Sequence, residues 1–396
     1  MQSIAQIRAP ASEDLPIPEC QLMCASSGSA VKSIVGEPSQ REILLMATAA
    51  CLIFISTISI FKNYFQVVND FGDNSAYIAV ASALRHWDFR GLTIKQFWGL
   101  PYLMAAVSSI SRVSDRTALL AISAGSYFIS IVLAYRLWGG WIAGFFAVIN
   151  FDWFQRALLG GSEPLFVALL FSSFLMVRKS KWCLAALLAA LSTVVRPLGF
   201  FTFVGITISL TAQRQYRQVV LVILIASLVG IGYIWPFWQQ FGDPLATIHS
   251  YQQLHQPGPF LFGIPFYAIV KGTLIHSAPW TNLVLTWGWI GLVLCGVIAM
   301  SLTTHYREFS KSHMIEAGFA ALYLLAIFSY NLPYWARGSF PRFAIPIVPF
   351  IFLGLLNWVP KSHYLLWTLS IVSPTLAASS AIGVKNVVQV IHRLLL

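Results

Sequence analysis

Seven apolar runs, each near the length that crosses about 30 Å of hydrocarbon as a helix, constrain this chain more than any other feature. They occupy residues 43–61, 117–136, 217–237, 281–302, 314–331, 343–359 and 363–383, with shorter runs at 98–111, 139–151, 162–177, 182–195 and 198–211. Hydrocarbon offers the backbone no hydrogen-bond partners, so such runs must satisfy their own N–H and C=O groups as helices. A membrane barrel would show weaker alternating segments of about ten residues. The expected fold class is therefore all-α, a polytopic transmembrane bundle of about ten to twelve spans.

Residues 1–40 carry Pro, Ser, Glu and Gly without apolar periodicity and read as a flexible cytoplasmic tail, leaving 41–396 as the membrane-embedded domain. The tail has no apolar h-region, so the first span is expected to direct insertion. Lys and Arg number 25 against 14 Asp and Glu, a net charge of +11. In a soluble chain this excess would suggest nucleic acid; among apolar spans it points to anionic membrane lipid and the positive-inside bias, and no nucleic-acid partner is expected. Cys51, Cys183 and Cys295 lie inside apolar runs and Cys20 and Cys24 form an isolated pair, which makes neither a disulfide nor a zinc framework. No metalloprotease H-E-x-x-H, hydrolase G-x-S-x-G or P-loop pattern occurs.

The positive-inside rule assigns the clusters Arg178-Lys179-Ser180-Lys181, Arg214 with Arg217, Arg307 with Lys311, and Lys361 to the cytoplasm. Counting spans outward puts Asp70, Asp73, Arg85, Arg90, Glu163, Arg196, Asp243, His249, Arg337 and Arg342 together on the outer side. The three runs in 98–152 exceed the even number of crossings this requires, so one must be re-entrant, interfacial or fused to a neighbour; 260–280, interrupted by Lys271 and His276, reads as interfacial. Arginines on the side where the rule disfavours them are best explained by an anion that they bind.

Charge is scarce, so its placement carries information. Four of the 14 acids lie in the tail, yet Asp70 and Asp73 share the loop that follows the first span. Carboxylates at a membrane boundary are functional candidates. Gly72 and Asn74 suit a turn, and residues 75–84 then read as an interfacial helix with Asp73 and Tyr77 on one face. Each candidate also has a structural reading. Asp73 or Asn74 could cap this helix, Glu163 before Pro164 suits a helix start, Arg196 before Pro197 could snorkel from a helix end, and Asp243 fits a turn. Arg342 at the start of a span suits either snorkelling or the gripping of a lipid phosphate. His249 could pair with phosphate. Against simple capping stands the second acid, Asp70, because a cap needs only one.

The order of these elements resembles the GT-C superfamily of polytopic glycosyltransferases. The acid-bearing first outer loop is followed by Leu100-Pro101-Tyr102, Gly161-Ser162-Glu163-Pro164-Leu165-Phe166, Val195-Arg196-Pro197-Leu198-Gly199, Phe241-Gly242-Asp243-Pro244 and Pro341-Arg342-Phe343-Ala344-Ile345-Pro346. The Ser-Glu-Pro and Arg-Pro-x-Gly elements look most like the mannosyltransferase-type members, although the R-W-D opening and N-x-x-S-x-F element of the GPI enzymes are missing. The resemblance implies transfer of a sugar, a mannose-like hexose or a pentose, from a polyprenyl-phosphate donor to a glycan, lipid or protein hydroxyl. It implies an active site on the non-cytoplasmic face of a plasma (inner) membrane. Asp73 is the expected base with Asp70 as rival and Glu163 as a third catalytic candidate; Tyr77, Arg196, Asp243, His249, Arg337 and Arg342 are candidates for binding substrate or phosphate. A lipid phosphate is already a good leaving group, so the chemistry needs a base near the acceptor hydroxyl and positive charge near the phosphate. The resemblance fixes no cofactor, and Glu163 could help hold a divalent cation. The alternative is a multi-span transporter or lipid flippase, which predicts mid-membrane ionisable groups and an internal repeat.

Overall fold

In a computed structural model, the described residues are 36–90, 92, 96–255, 262–275, 280–302, 313–331 and 340–383. Among them the regular structure is helical, apart from one isolated antiparallel bridge between Phe262 and Tyr330. Five helices are long and apolar enough to cross a membrane: Gln40–Phe61, Asp115–Trp138, Tyr216–Phe241, Val284–Leu302 within the longer helix Trp280–Leu302, and His363–Ile382. A sixth candidate span is a broken one, Phe151–Leu158 followed by Glu163–Arg178, bent by 103°. Shorter apolar helices cover Gly99–Ser111, Trp182–Val195, Pro197–Ala212, Met314–Ser329 and Phe340–Leu355.

Short polar residues set the helix starts. The hydroxyls of Ser39, Ser114 and Ser362 accept hydrogen bonds from the backbone N–H groups of Glu42, Thr117 and Leu365, at 3.2, 3.1 and 3.4 Å, which satisfies donors that the helices cannot. The first long helix packs along the last, Gln40–Phe61 against His363–Ile382, while Glu163–Arg178 is held between Asp115–Trp138 and Trp182–Val195. Large aromatics fill the space between these layers, including Tyr127, Phe146, Trp153, Phe171 and Phe174, all fully buried.

The crowded stretch 98–152 resolves physically. The run at 139–151 becomes Gly140–Val148, nine residues with every side chain buried, which at 1.5 Å per residue extends only about 14 Å. It cannot cross alone and instead packs inside the bundle. Tyr267–Ile275, in the second irregular stretch, is equally short.

At the far end of the helix Glu163–Arg178, Arg178 is less a free basic marker than the partner of a buried acid. Its Nε and Nη2 donate to Glu316 at 2.7 and 2.8 Å, Nη1 donates to the Leu137 carbonyl at 2.5 Å, and Trp138 Nε1 donates to Glu316 at 3.1 Å. Glu316 is 2% exposed, so Arg178→Ala strands a buried carboxylate. The expected loss is about 3–5 kcal/mol, read as a lowered thermal midpoint in detergent micelles, with Arg178→Ala/Glu316→Leu recovering most of it.

Candidate functional site

Asp73 sits at the N-cap position of the helix Asn74–His86, but its carboxylate makes no capping bond; only its main-chain carbonyl accepts, from the Tyr77 N–H at 3.0 Å. The neighbouring Asn74 does not cap either. Its side chain turns inward and donates to the Val68 and Leu159 carbonyls at 2.7 and 2.6 Å, tying the loop that holds Asp73 to the turn after Phe151–Leu158. Gly72 permits the approach with φ +53°, where a Cβ would also come within 3.1 Å of Arg156 Nη1. The Arg156 guanidinium lies over the Phe71 ring at 4.5 Å. The Asp73 carboxylate is thereby left for other partners: Gln96 Nε2 donates to it at 3.4 Å, and Arg342 Nη2 stands 3.9 Å away.

Glu163 opens the helix Glu163–Arg178, with Pro164 in its first turn, and is 1% exposed. Its carboxylate folds back over Gly161, where a Cβ would lie 2.8 Å from Oε2, so the position admits only glycine without a shift. Arg196 Nη1 donates to Glu163 Oε1 at 2.5 Å and to Ser162 Oγ at 3.3 Å, and Arg342 Nε donates to the same Oε1. Tyr77, buried, has its hydroxyl 3.3 Å from Ser162 Oγ. Arg196 is aimed by an extended backbone, φ −148° and ψ 127°, that the following Pro197 favours. Arg342 is aimed by its short helix Phe340–Ala344, anchored where Asn150 Nδ2 donates to the Pro341 carbonyl at 2.8 Å. The Phe343 ring lies beneath both guanidiniums, 5.4 Å from Arg196 and 5.7 Å from Arg342.

Asp73, Tyr77, Glu163, Arg196 and Arg342 thus form one cluster. Two further members carry no signal in the reading of the outer loops: Asp152 and Arg156, one turn apart in Phe151–Leu158. Asp152, 7% exposed, interacts electrostatically with Arg156, Arg342 and Glu163. Two opposite charges at i and i+4 inside Phe-Asp-Trp-Phe-Gln-Arg-Ala-Leu are the signal that could have found them. Three carboxylates and three guanidiniums then share one site. Asp73, 43% exposed at its side chain, stands at its more open edge, against 2% for Glu163. Gln96 Oε1, Asp152 Oδ2, Arg156 Nε and Glu163 Oε2 are buried without a hydrogen-bond partner among the described residues. Such unspent polar atoms suit a polar ligand.

The other expected residues lie apart. Asp70 ends the helix Tyr64–Asp70 with an exposed side chain 3.8 Å from Lys62. Asp243 and His249 pair with one another at 2.8 Å, both substantially exposed, and Asp243 also accepts from the Leu245 N–H at 2.9 Å. The His249 ring, and then the Leu245 N–H, hold the Asp243 carboxyl below the usual carboxylate range. Arg85 and Arg90 have carboxylate partners of their own, Asp115 and Asp88, each at 2.8 Å. Arg337 falls outside the described residues. A divalent cation does not fit at Glu163, because two guanidiniums occupy one carboxylate oxygen and a third, Arg156, stands close by. Among the described residues no group of three or more His, Cys, Asp or Glu side chains could hold a metal ion.

Asn74→Ala removes both bonds that tie the Asp73 loop down. The expected loss is about 2 kcal/mol, read as a lower thermal midpoint. The loop should also become susceptible to limited proteolysis while the rest of the chain stays protected.

No protein-family model matches the sequence, and no curated protein matches it. Among solved structures, the chain is similar to ArnT from Cupriavidus metallidurans, bound to undecaprenyl phosphate, with a TM-score of 0.52 and 11% identity over 83% of this chain and 62% of that one. It is also similar to the archaeal oligosaccharyltransferase AglB from Archaeoglobus fulgidus, in complex with an inhibitory peptide and a dolichol-phosphate, with a TM-score of 0.44 and 15% identity over 86% of this chain and 56% of that one. The chain therefore spans less than two thirds of the length of either protein. At 11% identity the likeness to ArnT is one of fold: this chain shares the helical architecture of that structure over most of its own length.

Proposed function

We propose that the chain is a membrane glycosyltransferase that moves a single sugar, a hexose or pentose of mannose-like type, from a polyprenyl-phosphate donor to a hydroxyl of a glycan, lipid or protein. The reaction occurs on the non-cytoplasmic face of the plasma (inner) membrane. The observation that carries this reading is the pairing of a half-exposed carboxylate, Asp73, with a buried arginine cluster 3.9 Å away at Arg342. A base and an anion site side by side are what displacement at a glycosyl phosphate needs. The undecaprenyl phosphate bound to ArnT supports a lipid phosphate as the leaving group here.

In the proposed reaction the acceptor oxygen attacks the anomeric carbon, the bond from that carbon to the phosphate oxygen breaks, and the configuration inverts. Asp73 takes the acceptor proton. Arg342 and Arg196 stabilise the charge that develops on the departing phosphate, in a site poor in water where fixed charges act strongly. Glu163, with both arginines on its Oε1, is a positioning residue that keeps the two guanidiniums together in the absence of substrate. Ser162 Oγ accepts from Arg196, and the Tyr77 hydroxyl donates to Ser162 Oγ in turn. Asp70, occupied with Lys62 at the surface, has no part in the chemistry.

Transfer from lipid-linked donor, assayed in membranes, tests the assignment. Asp73→Asn should lower the rate about 10²–10⁴-fold with donor binding retained, whereas Asp70→Asn should stay near wild type. Loss in Asp70→Asn with activity kept in Asp73→Asn would overturn the choice of base, and wild-type rates in Asp73→Asn and Glu163→Gln alike would overturn the reaction class.

The charge balance gives a second expectation. With arginines supplying the positive charge, chelation by EDTA should leave the rate unchanged, and added Mg²⁺ or Mn²⁺ should not raise it. Measured in the same assay, a rate that collapses on chelation and returns with a divalent ion would refute the arginine role.

A further inference from the structure

The helix Glu163–Arg178 separates two ends of the bundle by about 24 Å, at 1.5 Å for each of its 16 residues. At the end opposite Glu163, just past Arg178, a cleft of about 530 Å³ opens where the helices Trp182–Val195 and Tyr216–Phe241 begin. Its polar lining includes Ser180, Lys181, Arg217 and Gln218. Lys181 and Arg217 are exposed and have no acidic partner among the described residues. The side-chain oxygen of Gln218 is buried without a hydrogen-bond partner among them. The other lip is apolar: Leu184 and Leu221 also line it and are 43% and 40% exposed. The two helices pack against one another, and only 11% of the apolar window of Tyr216–Phe241 is buried within the protein, so its surface is left to hydrocarbon.

We propose that this cleft binds the headgroup of an anionic phospholipid. Lys181 and Arg217 grip the phosphate, which favours phosphatidylglycerol, with its net negative charge, over zwitterionic phosphatidylcholine. The acyl chains run over Leu184 and Leu221. A cationic cleft with an apolar lip at a membrane boundary complements a lipid better than a soluble anion, because only a lipid uses both halves of it. The site is separate from the Glu163 cluster and stands whether or not sugar transfer is the activity.

The test uses the full-length purified protein in phosphatidylcholine nanodiscs with and without phosphatidylglycerol. Native mass spectrometry reads the retained lipid, and alkylation resolved by residue reads the cleft. Cys183 lines the cleft, and discs of phosphatidylcholine alone give its unprotected rate. Phosphatidylglycerol should slow alkylation at Cys183. Lys181→Gln/Arg217→Gln should weaken retention on the order of tenfold and abolish the protection. Lys179→Gln/Arg214→Gln removes the same charge two and three residues away, outside the cleft lining, and should leave both readouts unchanged. Equal losses in the two double variants would reduce the effect to general surface charge and overturn the proposal. Protection of Cys183 by inorganic phosphate in phosphatidylcholine discs would overturn it in favour of a soluble anion.

Discussion

The structure turns on one buried carboxylate. Glu163 holds Arg196 and Arg342 on a single oxygen at the start of a helix that is otherwise apolar, and no member of this group could be buried alone. Breaking a buried ion pair by removing one partner typically costs about 3–5 kcal/mol, because the other charge is left uncompensated. The three residues come from segments far apart in sequence, so the cluster acts as a fastener between them. The broken helix around 151–163, the Arg196-Pro197 helix end and the short helix at Phe340–Ala344 all end at this point. Each has a local reason to stop: a glycine pair, a proline, and prolines again.

The irregularity of the bundle at this end follows from that convergence. A straight span through residues 151–178 would carry Asp152, Arg156 and Glu163 along one helix into hydrocarbon. The 103° bend turns them inward instead, toward Arg196 and Arg342. Irregular backbone inside a membrane protein is tolerated where it is buried in protein or lines a cavity, and the bend at Gly160-Gly161 meets that condition. Its orphan groups go to neighbours: Leu159 accepts from Asn74, and Gly161 exchanges hydrogen bonds with Ser123 at 3.1 and 3.3 Å. The opposite end of the same helix is held by Arg178 and Glu316, so one helix carries an ion cluster at each end and apolar packing between.

Much of this was legible in the residues, and the rest was hidden for identifiable reasons. The long helices follow from apolar length alone. Glu163, Arg196 and Arg342 stand out because each is a charge beside a proline at the end of an apolar run. Asp152 and Arg156 were missed because their segment is short and flanked by aromatics, which makes it read as the tail of an apolar run rather than as an amphipathic helix. By type Asn74 suits a turn or a cap, whereas its amide bridges two loops 85 positions apart, a contact no local pattern encodes. The distinction between Asp70 and Asp73 likewise depends on tertiary placement, since both are carboxylates in one loop. Only the fold turns Asp73 toward Gln96 and Arg342 and leaves Asp70 beside Lys62.

The arrangement also divides labour between two kinds of carboxylate in the proposed reaction. A base must reach an incoming hydroxyl, and the Asp73 side chain, 43% exposed, is more accessible than that of Glu163, 2% exposed with two guanidiniums on its Oε1. A counter-ion must keep arginines from repelling one another before substrate arrives, which Glu163 does and a half-exposed Asp73 could not do as well, since solvent would screen it. Arg342 touches both, with Nε on Glu163 and Nη2 3.9 Å from Asp73. An arriving phosphate would compete with Glu163 for these guanidiniums, and any shift of Arg342 toward the phosphate would alter the field at Asp73. Base and anion site are therefore coupled through one side chain. A lysine at that position could serve one of them as a point charge, but it lacks the planar fork that serves both.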